Sequence, residues 1–223
     1  MFGWFEDRVD PYPEGAPQAP PRGFFAFLWA GTEGMRPFIA GMTLLTATIG
    51  VFEALLFAML GRVVDWLGAA DPATLWSAHG GKLLLLSAII LGSIALVALQ
   101  TMLKHQALAG NFPMRLRWNY HRLLLSQSMS FFQDEFAGRV SAKVMQTALA
   151  VRDTCLIMTD ILVFVIIYFI TMVVVVGGFD LWLLLPFLGW LALYIAALRW
   201  FVPRLSKISR AQADARALMV GRI

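Results

Sequence analysis

Two carboxylic acids lie inside stretches of the sequence that are otherwise apolar. Glu53 interrupts the apolar run over residues 37–60, and Asp160 interrupts the run over residues 154–177. A charged side chain at the centre of a bilayer costs about 2.5–3.5 kcal/mol, so such residues usually face protein or water. Each carboxylate could contact a cationic or amphipathic substrate, or could make a hydrogen bond at a helix interface. The sequence leaves both alternatives open.

The remaining reactive side chains form no pattern typical of catalysis or metal binding. The three histidines are widely spaced, and the single cysteine, Cys155, is expected to be a buried and inert thiol. The run Gly80-Gly81-Lys82 lacks the glycine spacing and the Ser or Thr of a phosphate-binding loop. We therefore predict no catalytic residue, no metal site and no cofactor site in this chain.

The composition excludes an ordinary soluble domain. Hydrophobic residues make up 59% of the 223 residues and charged residues 14%, against about 45–50% and about 25% in soluble domains. Four stretches, at about 37–60, 83–103, 154–177 and 181–202, are long and apolar enough to cross a bilayer, which takes roughly 20 helical residues. Because a spanning segment must satisfy its own backbone hydrogen bonds, the sequence predicts an all-α membrane protein.

The distribution of Lys and Arg predicts the orientation in the membrane. Residues 1–36, 104–153 and 199–223 hold 16 of these basic residues, whereas loops 61–82 and 178–180 together hold two. Because Lys and Arg accumulate in cytoplasmic loops, both ends of the chain and loop 104–153 are predicted to be cytoplasmic. This topology accounts for the net charge of +4, so the expected partner is the lipid bilayer and not a nucleic acid.

The first 36 residues do not follow the pattern of a signal peptide, in which a short basic region directly precedes an apolar core. Residues 1–22 are rich in proline and acidic residues, a composition that predicts a disordered tail. Residues 23–36 include an aromatic run that is too short to cross the membrane. Such a run suits a helix that lies in the membrane interface.

The 50-residue loop 104–153 has the periodicity of helix and not the composition of a linker. A helix over residues 104–128 would project about 37 Å from the membrane by its rise per residue. The chain then has to reverse, and we predict the turn at residues 130–139 and a return helix from Val140. Phe131, Phe132 and Phe136 lie in this turn, and aromatic residues exposed at the tip of a protrusion need a partner surface.

These features together resemble the transmembrane domain of ATP-binding-cassette (ABC) exporters, over residues 23–223. The turn sequence Phe131-Phe132-Gln133-Asp134, followed by Gly138-Arg139, is similar to the first coupling helix of that family and the residues after it. Residues 23–29 resemble its elbow helix, and residues 61–66 resemble the usual end of its first membrane helix. The chain departs from the family pattern at Lys143, where Arg is usual, and at Thr147, where Asp is common.

The resemblance implies that residues 37–223 are part of an ABC exporter helical bundle with long cytoplasmic helix extensions, with four of its six membrane helices present. It implies a half-transporter of the bacterial inner membrane that pairs with a second half-transporter as a homodimer or heterodimer. A nucleotide-binding domain would follow in the same polypeptide and would bind ATP and Mg²⁺. The complete polypeptide would hydrolyse ATP, although this chain alone is not expected to be an enzyme.

The resemblance also assigns roles to residues. Coupling to the nucleotide-binding domain would fall to Phe131, Phe132, Gln133, Asp134, Gly138 and Arg139. Glu53 and Asp160 are candidates for the substrate pathway because of their charge inside apolar stretches, and not because of the resemblance. The function so implied is export of a hydrophobic or amphipathic substrate by alternating access. The alternative is a stand-alone four-helix membrane scaffold or assembly protein. A membrane-embedded enzyme is the third possibility, for which no site is visible.

Overall fold

The computed structural model of the chain describes residues 3–16, 19–69, 75–134 and 137–220. All regular structure within these ranges is helical, which confirms the all-α fold. Among the described residues, four helical stretches are long and apolar enough to cross a membrane: Arg36–Trp66, His79–Leu125, Val140–Phe179 and Leu181–Gln212. Each contains one of the four apolar stretches identified in the sequence. The chain divides into two compact units, Met1–Thr171 and Met172–Ile223.

The described residues form a succession of α-helices. They are α1 Gly3–Glu6, α2 Phe24–Gly31, α3 Arg36–Ala69, α4 Leu75–Met102, α5 Asn111–Leu125, α6 Met129–Asp134, α7 Ala137–Leu156, α8 Val163–Phe179 and α9 Leu184–Val220. Two π-helical segments lie between α-helices. The first, Leu103–Ala109, joins α4 to α5, and the second, Ile157–Leu162, joins α7 to α8. Such segments are rare and often mark functional positions.

Helices α5, α6 and α7 form a long hairpin, which we call the α5–α7 hairpin. Helix α5 continues the direction of α4, because Gly110 between the π-helical segment and α5 has helical angles (φ −84°, ψ −52°). Pro113 lies in the first turn of α5, where the missing N–H of proline is tolerated. Helix α7 packs along α5 on the way back. The structure thus contains the helical projection that the periodicity predicts.

The core of the first unit lies at the base of this hairpin, where α2, α3, α5 and α7 meet. Its buried members are Val9, Leu28, Met35, Ile39, Met42, Leu108, Phe112, Leu116, Ala148, Val151 and Cys155. The spacing of Leu108, Phe112 and Leu116 places them on one helix face, which accounts for their joint burial. By contrast, apolar side chains such as Leu44 and Leu91 are exposed, as expected for surfaces that face lipid.

A helix lies where the interfacial helix is predicted, but it is shorter than residues 23–36, and its location in the membrane interface stays a prediction. Helix α2 ends at Gly31, and the chain turns through Gly34, whose φ of +78° favours glycine. A side chain at Gly34 would also overlap the Arg115 guanidinium. Leu28 of α2 is buried in the core, whereas Phe25 and Trp29 are exposed. An exposed aromatic face on a short helix is typical of the membrane–water interface.

The second unit is a tight helical reversal. Helix α8 ends at Phe179, and a short 3₁₀ turn, Leu181–Leu183, leads directly into α9. The Asp180 carboxylate accepts a hydrogen bond from the backbone N–H of Trp182 at 2.9 Å. This cap satisfies one of the free N–H groups at the start of the turn.

The structure differs from the predicted disordered tail over residues 1–22, because residues 3–14 lie against α5 as a strap. Val9 is only 1% exposed and belongs to the core. Side chains on one face of α5 donate hydrogen bonds to carbonyl oxygens of the strap. The pairs are Asn111 to Glu6 (2.8 Å), Arg115 to Asp10 (2.7 Å), Trp118 to Pro13 (3.2 Å) and Arg122 to Pro13 (2.8 Å). Because the strap is bound through its backbone, its polar composition does not keep it disordered.

The strap predicts a protected tryptic site. Cleavage after Arg8 requires Val9 to leave the core, so trypsin should cut there slowly in the folded protein. Hydrogen bonds to charged groups contribute about 1.5–3 kcal/mol each, so the double variant Arg115→Met/Arg122→Met should speed this cleavage at least about tenfold. Mass spectrometry of timed digests measures the rate. Arg117→Met removes an arginine that donates to Met114 Sδ at 3.8 Å, and it should leave the rate unchanged; equal rates in all three proteins would contradict the strap.

Candidate functional site

Asp160 is the centre of a group of four polar side chains, which we call the polar cluster: Thr46, Gln100, Lys104 and Asp160. One carboxylate oxygen of Asp160 accepts hydrogen bonds from Thr46 Oγ1 at 2.8 Å and from Gln100 Nε2 at 3.0 Å. The other oxygen forms an ion pair with Lys104 Nζ at 2.5 Å. Gln100 Nε2 also lies 3.2 Å from Thr46 Oγ1, so the four side chains form one connected network.

Three separate helical stretches supply these side chains. Thr46 lies in α3, and Gln100 lies in the last turn of α4. Lys104 lies in the first π-helical segment and Asp160 in the second. Gln100 and Lys104 are four residues apart and therefore share a face. The polar cluster thus joins three helical stretches, and two of its members lie in the π-helical segments.

The burial of Asp160 indicates the role of the polar cluster. Asp160 is 7% exposed, and a carboxylate in such a place is tolerated when it is paired and hydrogen-bonded. Both of its oxygens have partners within the chain. Of the two alternatives that the sequence leaves open for Asp160, this geometry supports the hydrogen bond between helices over contact with a substrate.

Glu53 lies apart from the polar cluster. It follows Thr46 by seven residues on α3, which corresponds to about 10 Å along the helix axis. Its half-buried side chain lines an apolar cavity of about 470 Å³ between α3 and α4, together with Leu56, Phe57, Leu86 and others. Within the described part of the chain, its carboxylate makes no hydrogen bond or ion pair. The structure therefore does not bring the two membrane carboxylates together.

The turn of the α5–α7 hairpin is the short helix α6, and its two phenylalanines differ. Phe131 lines an apolar cavity of about 340 Å³ between α5 and α7, beside Tyr120 and Val144. Phe132 is 39% exposed and touches Phe131 edge to face, with ring centroids 5.3 Å apart. One ring thus packs into the hairpin and the other is open to a partner.

For the other coupling candidates, the structure describes only the position of the backbone. Gln133 and Asp134 lie at the end of α6, and Gly138 and Arg139 lie in the first turn of α7. Phe136 lies outside the described residues. The coupling role of these residues stays a prediction.

Sequence reasoning missed Lys104 as a site residue, because it was counted only as a basic residue that indicates orientation. Thr46 and Gln100 were missed as well, since both look unremarkable inside apolar runs. One signal was available for Lys104: it directly follows the second apolar stretch and lies four residues after Gln100. The sequence does not specify how each helix is rotated about its own axis, and this rotation decides which helix face meets Asp160.

Comparison with known proteins identifies the architecture. The family model of the ABC transporter transmembrane region matches residues 39–223. The chain belongs to this family. It is also 52% identical, over all 223 residues, to a Haemophilus influenzae protein described as an uncharacterized ABC transporter ATP-binding protein. The search of solved structures found no match.

Family membership confirms the resemblance drawn from the turn motif and the long helices. This ABC transmembrane region is an integral membrane part of a transporter, which decides against the stand-alone scaffold. The chain spans only 36% of the Haemophilus protein. The activity and partners of the whole transporter are therefore addressed as proposals.

The ion pair predicts an asymmetric response to mutation. Asp160→Asn leaves Lys104, whose side chain is 28% exposed, without its counter-charge. Breaking a fully buried pair costs about 3–5 kcal/mol, so the partial exposure of Lys104 should make the loss smaller here. Adding Lys104→Gln removes the unpaired charge, so the double variant should be more stable than Asp160→Asn alone. Thermal unfolding of the full-length protein in detergent measures both. If the double variant loses as much stability as the single variants Asp160→Asn and Lys104→Gln lose together, the ion pair is not formed.

Proposed function

We propose that this ABC transmembrane region is the membrane part of an ATP-driven exporter that moves a hydrophobic or amphipathic substrate by alternating access. The ATP-binding description of the Haemophilus relative supports this proposal. The chain contains no phosphate-binding loop motif, so ATP and Mg²⁺ would bind a nucleotide-binding domain elsewhere in the polypeptide. A second half-transporter would complete the membrane pathway.

The observation that carries the proposal is the position and asymmetry of α6. Residues 103–125 form a helical path of about 34 Å by rise per residue, so α6 lies far from the polar cluster. The charge distribution of the sequence predicts that this end is cytoplasmic. Phe131 fixes α6 to the hairpin, and Phe132 offers an aromatic ring to a partner. This arrangement suits a contact that transmits force from a nucleotide-binding domain.

The base of the hairpin connects this contact to the membrane helices. Leu108 and Phe112 of the core lie one and two turns beyond Lys104, and Cys155 lies about one turn before Asp160. A displacement of α6 therefore reaches the polar cluster through packed side chains and not through a flexible linker. The hairpin would act as a lever whose movement changes the packing of α3 and α4.

Glu53 is the residue through which this domain would favour cationic substrates. It is a half-buried carboxylate in an apolar cavity, and intramembrane carboxylates often mark substrate paths. An amphipathic cation satisfies both features, because its charge meets Glu53 while its apolar part meets Leu56 and Phe57.

The two phenylalanines of α6 should respond differently to truncation. Phe132→Ala removes an exposed ring, so folding should be retained while substrate-stimulated ATP hydrolysis and transport fall together. The loss of a buried anchor at an interface costs about 2 kcal/mol or more, which corresponds to roughly a thirtyfold weaker contact. Phe131→Ala should instead lower thermal stability, because it opens the cavity between α5 and α7. Reconstituted full-length protein allows both assays; full coupling in both variants would leave α6 without a role in transmission.

Substrate charge should matter at Glu53. We expect Glu53→Gln to reduce transport of cationic compounds about tenfold, which corresponds to about 1.4 kcal/mol, and to spare neutral compounds of similar size. Asp65→Gln is a suitable control, because this exposed carboxylate lies three turns further along α3. Uptake into inverted vesicles measures the two substrate classes in parallel. An equal loss for both classes would remove Glu53 from the substrate path.

A further inference from the structure

A third cavity lies between α2, α3 and the second π-helical segment. Its volume is about 820 Å³, and apolar side chains form most of its wall. The lining includes Trp29 of α2, Arg36 and Ala47 of α3, and Met158 of the π-helical segment. We call this the elbow groove. We propose that it binds an anionic phospholipid, with one acyl chain along α3 and the phosphate at Arg36.

The length of the elbow groove matches one leaflet of a bilayer. Its α3 wall runs from Arg36 to Ala47, which is about 16 Å of helix. Half of a hydrocarbon core of about 30 Å is about 15 Å. Ala40, Thr43 and Ala47 share one face of α3, and their small side chains leave the space that an acyl chain would fill. The groove thus exists because small residues recur on one face of α3.

The charge at the mouth of the groove fits a phosphate. The Arg36 guanidinium lies 4.3 Å from the centre of the Trp29 ring and donates to the Trp29 carbonyl at 3.2 Å. Its Nε lies 3.5 Å from Thr32 Oγ1. These contacts hold the cation at the end of the groove, and no carboxylate of the described residues forms an ion pair with it. The positive charge is therefore available to an anionic group.

The surroundings favour a lipid over a water-soluble ligand. The mouth is flanked by the exposed aromatic rings of Phe25 and Trp29, which are typical of the headgroup region. The groove then runs along a helix that crosses the membrane, where the available molecules have a polar head and an apolar chain. This inference uses the membrane location of the domain and is independent of the direction and substrate of transport.

A photoactivatable lipid tests the elbow groove directly. Full-length protein in nanodiscs would receive phosphatidylglycerol or phosphatidylcholine that carries a diazirine in the acyl chain. We expect phosphatidylglycerol to label peptides that contain residues 36–47 or 155–159, and phosphatidylcholine to label them more weakly. A basic residue near the surface contributes about 1 kcal/mol to binding of anionic lipid, so Arg36→Gln should reduce the labelling about fivefold. Ala40→Leu and Ala47→Leu should reduce it by filling the groove.

Two matched controls separate this site from general lipid contact. Arg62→Gln changes an exposed arginine near the other end of α3, and Ala95→Leu adds the same bulk on an exposed face of α4. Both should leave the labelling of the groove peptides unchanged. Equal labelling by the two lipids with no effect of Arg36→Gln would overturn the anionic headgroup. Absence of label from both peptides would overturn the site and would mean that another part of the polypeptide covers the groove.

Discussion

A carboxylate that is buried at the depth of a membrane must be paired, and the pairing of Asp160 organises the rest of this domain. Lys104 supplies the charge, while Gln100 and Thr46 supply hydrogen bonds. Because these partners come from different helices, satisfying one carboxylate fixes the relative register of three helical stretches. The two π-helical segments occur where Lys104 and Asp160 have to face each other. The polar cluster therefore sets the base from which the α5–α7 hairpin projects.

The hairpin is stiffened on two faces. Its inward face packs α5 against α7 and continues into the core at the base, and another face of α5 binds the strap of residues 3–14 through backbone carbonyls. A protrusion of this length bends unless its helices are supported along their sides. In the proposed mechanism, this support would let a force applied at α6 move the whole hairpin.

The sequence predicts the features that depend on local composition. The four membrane helices follow from the length of the apolar runs, and the hairpin follows from the spacing of residues such as Leu108, Phe112 and Leu116. The partner of Asp160 could not be predicted, because an apolar run carries little information on which helix face meets which neighbour. The strap could not be predicted either, since α5 recognises carbonyl groups that every residue possesses. The different exposure of Phe131 and Phe132 depends on the rotation of α6, which its short sequence does not specify.

The central claim is that the hairpin moves as one body anchored at the polar cluster. Spin labels at Leu125→Cys near α6 and Ile157→Cys at the base, both exposed positions, would report its internal length in a Cys155→Ala background of the full-length transporter. Pulsed electron paramagnetic resonance would measure this distance without nucleotide and with ATP and vanadate. The account predicts one narrow distance that is the same in both states and that broadens when Lys104→Gln is added. A distance that changes on ATP trapping, or that is indifferent to Lys104→Gln, would contradict it.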